Sequence, residues 1–207
     1  MIDIKEAREI TNTRMALLKK ASAGVKLTDE ERYWLVTNPS VYSVYDDVVF
    51  YEDIIDLEPK KNYSVKISCH SYATEDDMFP VFGITKGTGG IKIPPEELPP
   101  DANKNKRIKY AAIHVYPHYP EFNFEYMSSI GQMKVNYRCE YYDTRVRLHK
   151  NEGSTMLRRD YGMRKEEISE NKFRYSCKHP LAADGDFTAL LFDVEWHEIE
   201  KASKKKK

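Results

Sequence analysis

Near Pro39 the apolar positions of the chain change period, and that change divides the molecule in two. From Ile4 to Ala21 the residues Ile4, Ala7, Ile10, Leu17, Leu18 and Ala21 recur with helical spacing, and Gly24 stands where a helix end takes a left-handed residue. Thr28-Asp29-Glu30-Glu31 is a capping-box pattern: a hydroxyl for the N–H three residues on, a carboxylate to reach back, and acids at the positive end of the helix dipole. A second helix therefore begins after Thr28. It stops before Asn38-Pro39, because the residue preceding proline avoids the helical region. Residues 1–38 are expected to form an N-terminal helical segment, either a hairpin or one long helix and a short one.

Past Pro39 the period becomes two. Val65, Ile67 and Cys69 alternate with Ser64, Lys66, Ser68 and His70. The same alternation runs through Met133, Val135, Tyr137, Cys139 and Tyr141, and through Val146 and Leu148. It is clearest at Leu190, Phe192, Val194 and Trp196, with Asp193, Glu195 and His197 on the other side. Repeated short runs separated by turn clusters predict a mainly β fold, an antiparallel β-sandwich of jelly-roll-like type over residues 39–200. Gly87-Thr88-Gly89-Gly90 reads as a hairpin turn, and the proline-bearing stretch 94–107 as a long loop of the kind that carries function on a β scaffold. Residues 201–207 hold five lysines and read as a solvated tail.

Composition narrows the setting. With 32% charged residues and no apolar run near the roughly 18 residues a helical span needs, no membrane partner is expected. Met1 to Arg8 alternates charge with apolar groups and lacks a secretory pattern, so a cytoplasmic or particle-associated location is expected. Cys69, Cys139 and Cys177 are widely spaced, odd in number and set in strand-like runs, which suits buried thiols and gives no thiolate zinc pattern. His114 and His118 are four apart, but Pro117 lies between them and Ile113-His114-Val115 reads as strand. No metal and no cofactor is expected, since the Gly87–Gly90 stretch also lacks a phosphate-loop pattern.

Three constellations remain. Tyr116, Tyr119, Phe122, Phe124 and Tyr126 crowd five rings into eleven residues, which either stack on a flat ligand such as a sugar or, by alternation of Phe122, Phe124 and Tyr126, fill the core. Net charge is zero, yet residues 104–180 hold 16 bases against 9 acids, while 46–103 hold 12 acids against 5 bases. Either the two neutralise each other across a sheet, or Arg138, Arg145, Arg147, Arg158, Arg159 and Arg164 face a polyanion, with nucleic acid as the less favoured partner. Asp193 and Glu195 share a strand face about 7 Å apart, the minimum equipment of a sugar-active enzyme. Asp46/Asp47, Glu52/Asp53 and Asp76/Asp77 offer comparable pairs, and outward charges on a strand are the ordinary explanation. No nucleophile motif is present and no catalytic residue is assigned.

The stretch Asp56-Leu57-Glu58-Pro59-Lys60-Lys61-Asn62-Tyr63-Ser64-Val65 resembles the entry to an early strand in jelly-roll carbohydrate-binding modules and in phage tail or head-fibre sandwiches. Those show a leucine, a proline-lysine turn and then Tyr-x-Val; Lys60 stands here where a glycine usually follows the proline. Phe187-Thr-Ala-Leu-Leu-Phe-Asp-Val-Glu-Trp196 is similar to the closing strand of such domains. The resemblance implies a sandwich architecture; together with the absence of a catalytic signature, the expectation is a non-catalytic structural or binding protein, for which a component of a phage or mobile-element particle is one setting. The division at Pro39 adds the expectation of a homo-oligomer, or of docking, through the N-terminal helices, with a carbohydrate or protein partner for the body.

Overall fold

A computed structural model describes residues 2–44, 47–72, 78–85, 89–93, 112–115, 121–143, 148–150, 162–178 and 185–199. Helix α1 spans Ile4–Ser22 and α2 Asp29–Thr37, as the capping chemistry predicts. Asp3 accepts from the Glu6 backbone N–H at 2.8 Å. At the other end, Gly24 sits at φ 77° while its N–H donates to Ala21 O and that of Val25 to Lys20 O, which closes the last turn. The Thr28 hydroxyl and the Glu31 carboxylate satisfy each other's backbone N–H at 3.2 and 2.8 Å.

Among the described residues twelve antiparallel strands follow: β1 (Ser40–Val44), β2 (Asp47–Asp56), β3 (Asn62–Tyr72), β4 (Met78–Thr85), β5 (Gly89–Lys92), β6 (Ala112–Val115), β7 (Glu121–Ser128), β8 (Gln132–Asp143), β9 (Leu148–Lys150), β10 (Gly162–Ser169), β11 (Lys172–Lys178) and β12 (Leu190–Glu198). Their order is β5-β7-β3-β12-β11-β10-β2-β8-β4-β6, with β1 beside β2 and β9 beside β8. Consecutive strands β2 and β3 do not pair with each other; β2 pairs with β8 and β3 with β7. The β2–β3 and β7–β8 connections are thus arches between two facing halves, which makes the long ladder an antiparallel sandwich. Leu57 N–H donates to Gly131 O and Lys60 N–H to Ser128 O, both at 2.7 Å, and tie the two arches together. A Cβ at Gly131 would lie 2.4 Å from Leu57 O, so only glycine fits that approach.

The expected hairpin at Gly87–Gly90 is corrected by this order. Gly89 and Gly90 belong to β5, which pairs with β7 at one end of the ladder, whereas β4 pairs with β8 and β6 near the other. The proline stretch 94–107 lies outside the described residues.

Inward side chains from both halves form one core: Val65, Ile67, Phe124 and Tyr126 meet Phe192 and Val194 on one side, with Ile55, Ile84, Met133 and Val135 from the other. Tyr175 and Phe192 stack at 5.1 Å between ring centroids. From the helices only Ala7 and Ile10 enter this core. The hairpin is pinned further by Thr11 Oγ1 donating to Val41 O at 2.5 Å and by the Arg14 guanidinium donating to Asn38 O at 2.6 Å. The remainder of α1 and all of α2 carry no fully buried side chain.

Candidate functional site

β2 is the hinge of the sandwich. It pairs with β10 at Phe50 and with β8 from Glu52 onward. Its register with β1 shifts by one residue between Phe50 and Glu52, and past that shift Asp53 and Ile55 are the buried positions. Gly162 allows the β10 backbone to come this close, since a Cβ there would meet Val49 Cγ1 at 2.4 Å.

Where β10 and β8 part company along β2, a cleft of about 1010 Å³ opens beneath the N-terminus of α1. Asp53, 2% exposed, is the most buried polar residue of its lining. It accepts from the Tyr175 hydroxyl at 2.7 Å and pairs with Lys165 Nζ at 2.8 Å. The Lys165 ammonium also lies 3.9 Å from the centre of the Phe173 ring. Burial first, and the Asp53 charge after it, push the Tyr175 hydroxyl well above the ordinary tyrosine range, so it remains a donor. Arg164 pairs with Asp47 and covers the Phe187 ring at 4.0 Å. Gln132 donates its amide to Thr37 O at 3.2 Å, which orients its carbonyl oxygen; that oxygen is buried with no hydrogen-bond partner.

A second charged cluster lies on the outer face of β3, β12 and β11. Asp193 is 1% exposed although it points away from the core, because the side chains of its neighbours lie over it. Arg174 donates to both its oxygens at 2.8 and 3.1 Å, His70 lies at 2.9 Å and Lys172 at 3.0 Å. Burial acts to raise this carboxyl, but the hydrogen bonds from Arg174, His70 and Lys172 outweigh it and bring it down to about 2. A hydrogen bond from His197 likewise lowers Glu195, against a smaller effect of burial. Glycoside hydrolysis needs one carboxyl that keeps its proton near neutral pH. Neither of these does, and neither residue lines the cleft. The pair is part of an ion-pair ladder, and its geometry does not support the sugar-active reading.

The remaining expected residues separate. Phe124 and Tyr126 are each 1% exposed in the core and Phe122 packs half-buried against it, so the period-two alternation fills the core and corrects the stacking platform for these three rings. Tyr116 and Tyr119 lie outside the described residues. Of the six arginines, Arg164 is held by Asp47, Arg138 is placed only by its backbone opposite Val81, and Arg145, Arg147, Arg158 and Arg159 lie outside the described residues. Cys177 is buried and Cys69 half-buried, and neither is in a disulfide among the described residues. Sequence reasoning reached Asp53 only as one of several interchangeable carboxylate pairs, and did not reach Lys165, Tyr175 or Gln132. The available signal was an acid inside the apolar run Val48-Val49-Phe50 to Ile54-Ile55.

A third feature is the bare surface of the helices. Among the described residues eight large apolar side chains are more than a third exposed, and five of them, Met15, Leu18, Val25, Tyr33 and Val36, fall between residues 15 and 36. No helix in the described residues is long and apolar enough to cross a membrane.

No family model matches the chain, and no curated protein matches it. Among solved structures it is similar to the C-terminal domain of BC2L-C lectin from Burkholderia cenocepacia, with 12% identity and a TM-score of 0.24 over 70% of this chain and 96% of that one. A likeness at that level carries no argument about ligand or mechanism.

Proposed function

We propose that this chain is a non-catalytic β-sandwich binding module that associates with a second copy of itself through the helical hairpin, as a component of a larger assembly. The observation that carries the reading is the concentration of exposed apolar side chains on residues 15–36, where a monomer leaves Met15 63% and Tyr33 62% exposed. Charge supports self-association over an unrelated partner. The end of α1 and the turn after it expose Lys19 and Lys26, while the start of α2 exposes Asp29 and Glu30. All four lie at the turn end of the hairpin, where Lys20 pairs with Glu31, so a two-fold axis near the turn sets the lysines of one copy against the acids of the other.

Light scattering on the full chain tests this. Wild-type protein is expected to be a dimer or higher oligomer at micromolar concentration, and Met15→Glu with Leu18→Glu is expected to yield a folded monomer. A wild-type monomer at hundred-micromolar concentration overturns the reading. Point substitutions are preferred to removing residues 1–37, because Ala7 and Ile10 belong to the core and their loss would unfold the body for an unrelated reason.

A further inference from the structure

Strand β1 pairs with β2 alone among the described strands, so one of its edges has no strand beside it. Helix α1 lies along that edge instead. Three of its side chains, about one per turn, reach β1 in reverse order: Arg8 Nε donates to Ser43 Oγ at 3.3 Å, Thr11 Oγ1 to Val41 O at 2.5 Å, and the Arg14 guanidinium to Pro39 O at 3.2 Å. Because the Val41 carbonyl is turned to the helix, the pleat turns the backbone groups of Ser43 the same way and those of Tyr42 toward β2. Three helical residues advance about 4.5 Å and two strand residues about 6.6 Å, and the long arginines at the two ends of the row span the difference.

We infer that α1 is a gate on this edge, and that β1 of a second copy is what it keeps out. The helix is an imperfect substitute for a strand. Arginine side chains only donate, so they serve the Pro39 carbonyl and the Ser43 hydroxyl but offer no acceptor to the outward N–H groups of Val41 and Ser43. A neighbouring strand supplies both, and an uncovered row of such groups is a template for strand addition. The apolar part of the helix's hold rests on Ala7 and Ile10, the only buried residues among its nineteen.

The edge is complementary to itself. With a two-fold axis at Tyr42, Val41 of each copy stands opposite Ser43 of the other, and the two residues exchange both N–H···O bonds. Pro39 has no N–H, so pairing stops at the start of the strand and the contact is confined to Ser40–Val44. The product is a sheet continuous from β2 of one copy to β2 of the other. It uses none of the exposed apolar side chains between residues 15 and 36 and is independent of association through the hairpin.

Light scattering on the full-length Met15→Glu, Leu18→Glu protein, further carrying Arg8→Ala, Thr11→Val and Arg14→Ala, tests the gate. Loss of the helix's hydrogen bonds is expected to bring self-association to a roughly tenfold lower concentration than in the Met15→Glu, Leu18→Glu parent, the equivalent of about one net hydrogen bond, with circular dichroism unchanged. Adding Ser43→Pro, which deletes an outward N–H and none that pairs with β2, is expected to return the monomer. Thr11→Val alone keeps the side-chain volume and is expected to act in the same direction to a smaller degree, which serves if the triple variant does not fold. Amide exchange at Val41 and Ser43 reads the edge whatever the hairpin does: in the uncapped protein it is expected to slow as concentration rises, and in the parent to be independent of concentration. An uncapped protein, triple or single, that stays monomeric at hundred-micromolar concentration, whose exchange ignores concentration, or whose oligomer persists with Ser43→Pro overturns the proposal. A wild-type monomer overturns association through the hairpin but changes none of these outcomes.

Discussion

Asp53 and Asp193 are both buried aspartates on neighbouring regions of one sandwich, and their surroundings are opposite. Asp193 collects Arg174, Lys172 and His70, so cations surround a single acid. Around Asp53 the count reverses: Lys165 and Tyr175 hold it, but the cleft it floors carries further acids with no cation of their own. A cluster whose charges are matched by its own chain has nothing to offer a ligand and works as a clamp across β3, β12 and β11. The acids of the cleft lining form no such clamp among the described residues.

The largest effect that separates the two is expected at Asp53. Asp53→Ala leaves a lysine side chain only 13% exposed and a fully buried tyrosine hydroxyl without their partner. Breaking a buried pair from one side costs about 3–5 kcal/mol, to be read as a lowered urea midpoint with unchanged slope. Tyr175→Phe removes one hydrogen bond but leaves Lys165 on the carboxylate, and is expected to cost about 1 kcal/mol in the same measurement. If both variants lose equal stability, Lys165 is not the main partner of Asp53 and the contrast between the clusters weakens.

Asp193 sharpens the comparison through pH. Its carboxyl lies below the ordinary 3.8, at about 2, so its contribution is fully present above pH 4 and is lost as pH falls through the folded value. The shift corresponds to about 2 kcal/mol. Asp193→Asn is expected to remove that much at pH 7 and to flatten the stability curve between pH 4 and pH 2, measured by urea unfolding across that window. An unchanged slope in that interval would mean that solvent, which reaches Arg174 and Lys172, already screens the pairs.

The two clusters also differ in how far the sequence reveals them. The alternation from Leu190 to Trp196 is legible, and so are both helices, because a capping box and a two-residue period are local patterns. What Asp193 touches is not, since β12 lies between β3 and β11 and its cations come from residues 70, 172 and 174. On strand pattern alone Asp193 is a solvated outward charge; its cover depends on strand order. Asp53 is hidden for a different reason. An unbroken alternation would keep Phe50, Glu52 and Ile54 on one face, and the register shift after Phe50 turns Asp53 and Ile55 inward instead. The cleft itself depends on where two strands diverge, which no single run of residues encodes.

The smallest expected effect tests whether the acids of the cleft, like Asp193, hold the fold together. Glu6, Asp56 and Glu166 support no ion pair among the described residues, and like charges sharing a cleft repel. Glu6→Gln with Asp56→Asn is therefore expected to leave stability within about 0.5 kcal/mol of wild type, or to raise it slightly. Loss of a kcal/mol or more in urea unfolding would show that these acids hold the fold together as Asp193 does. A neutral change would show that the acids take no part in holding the fold, and a gain would show that their mutual repulsion costs the folded state stability.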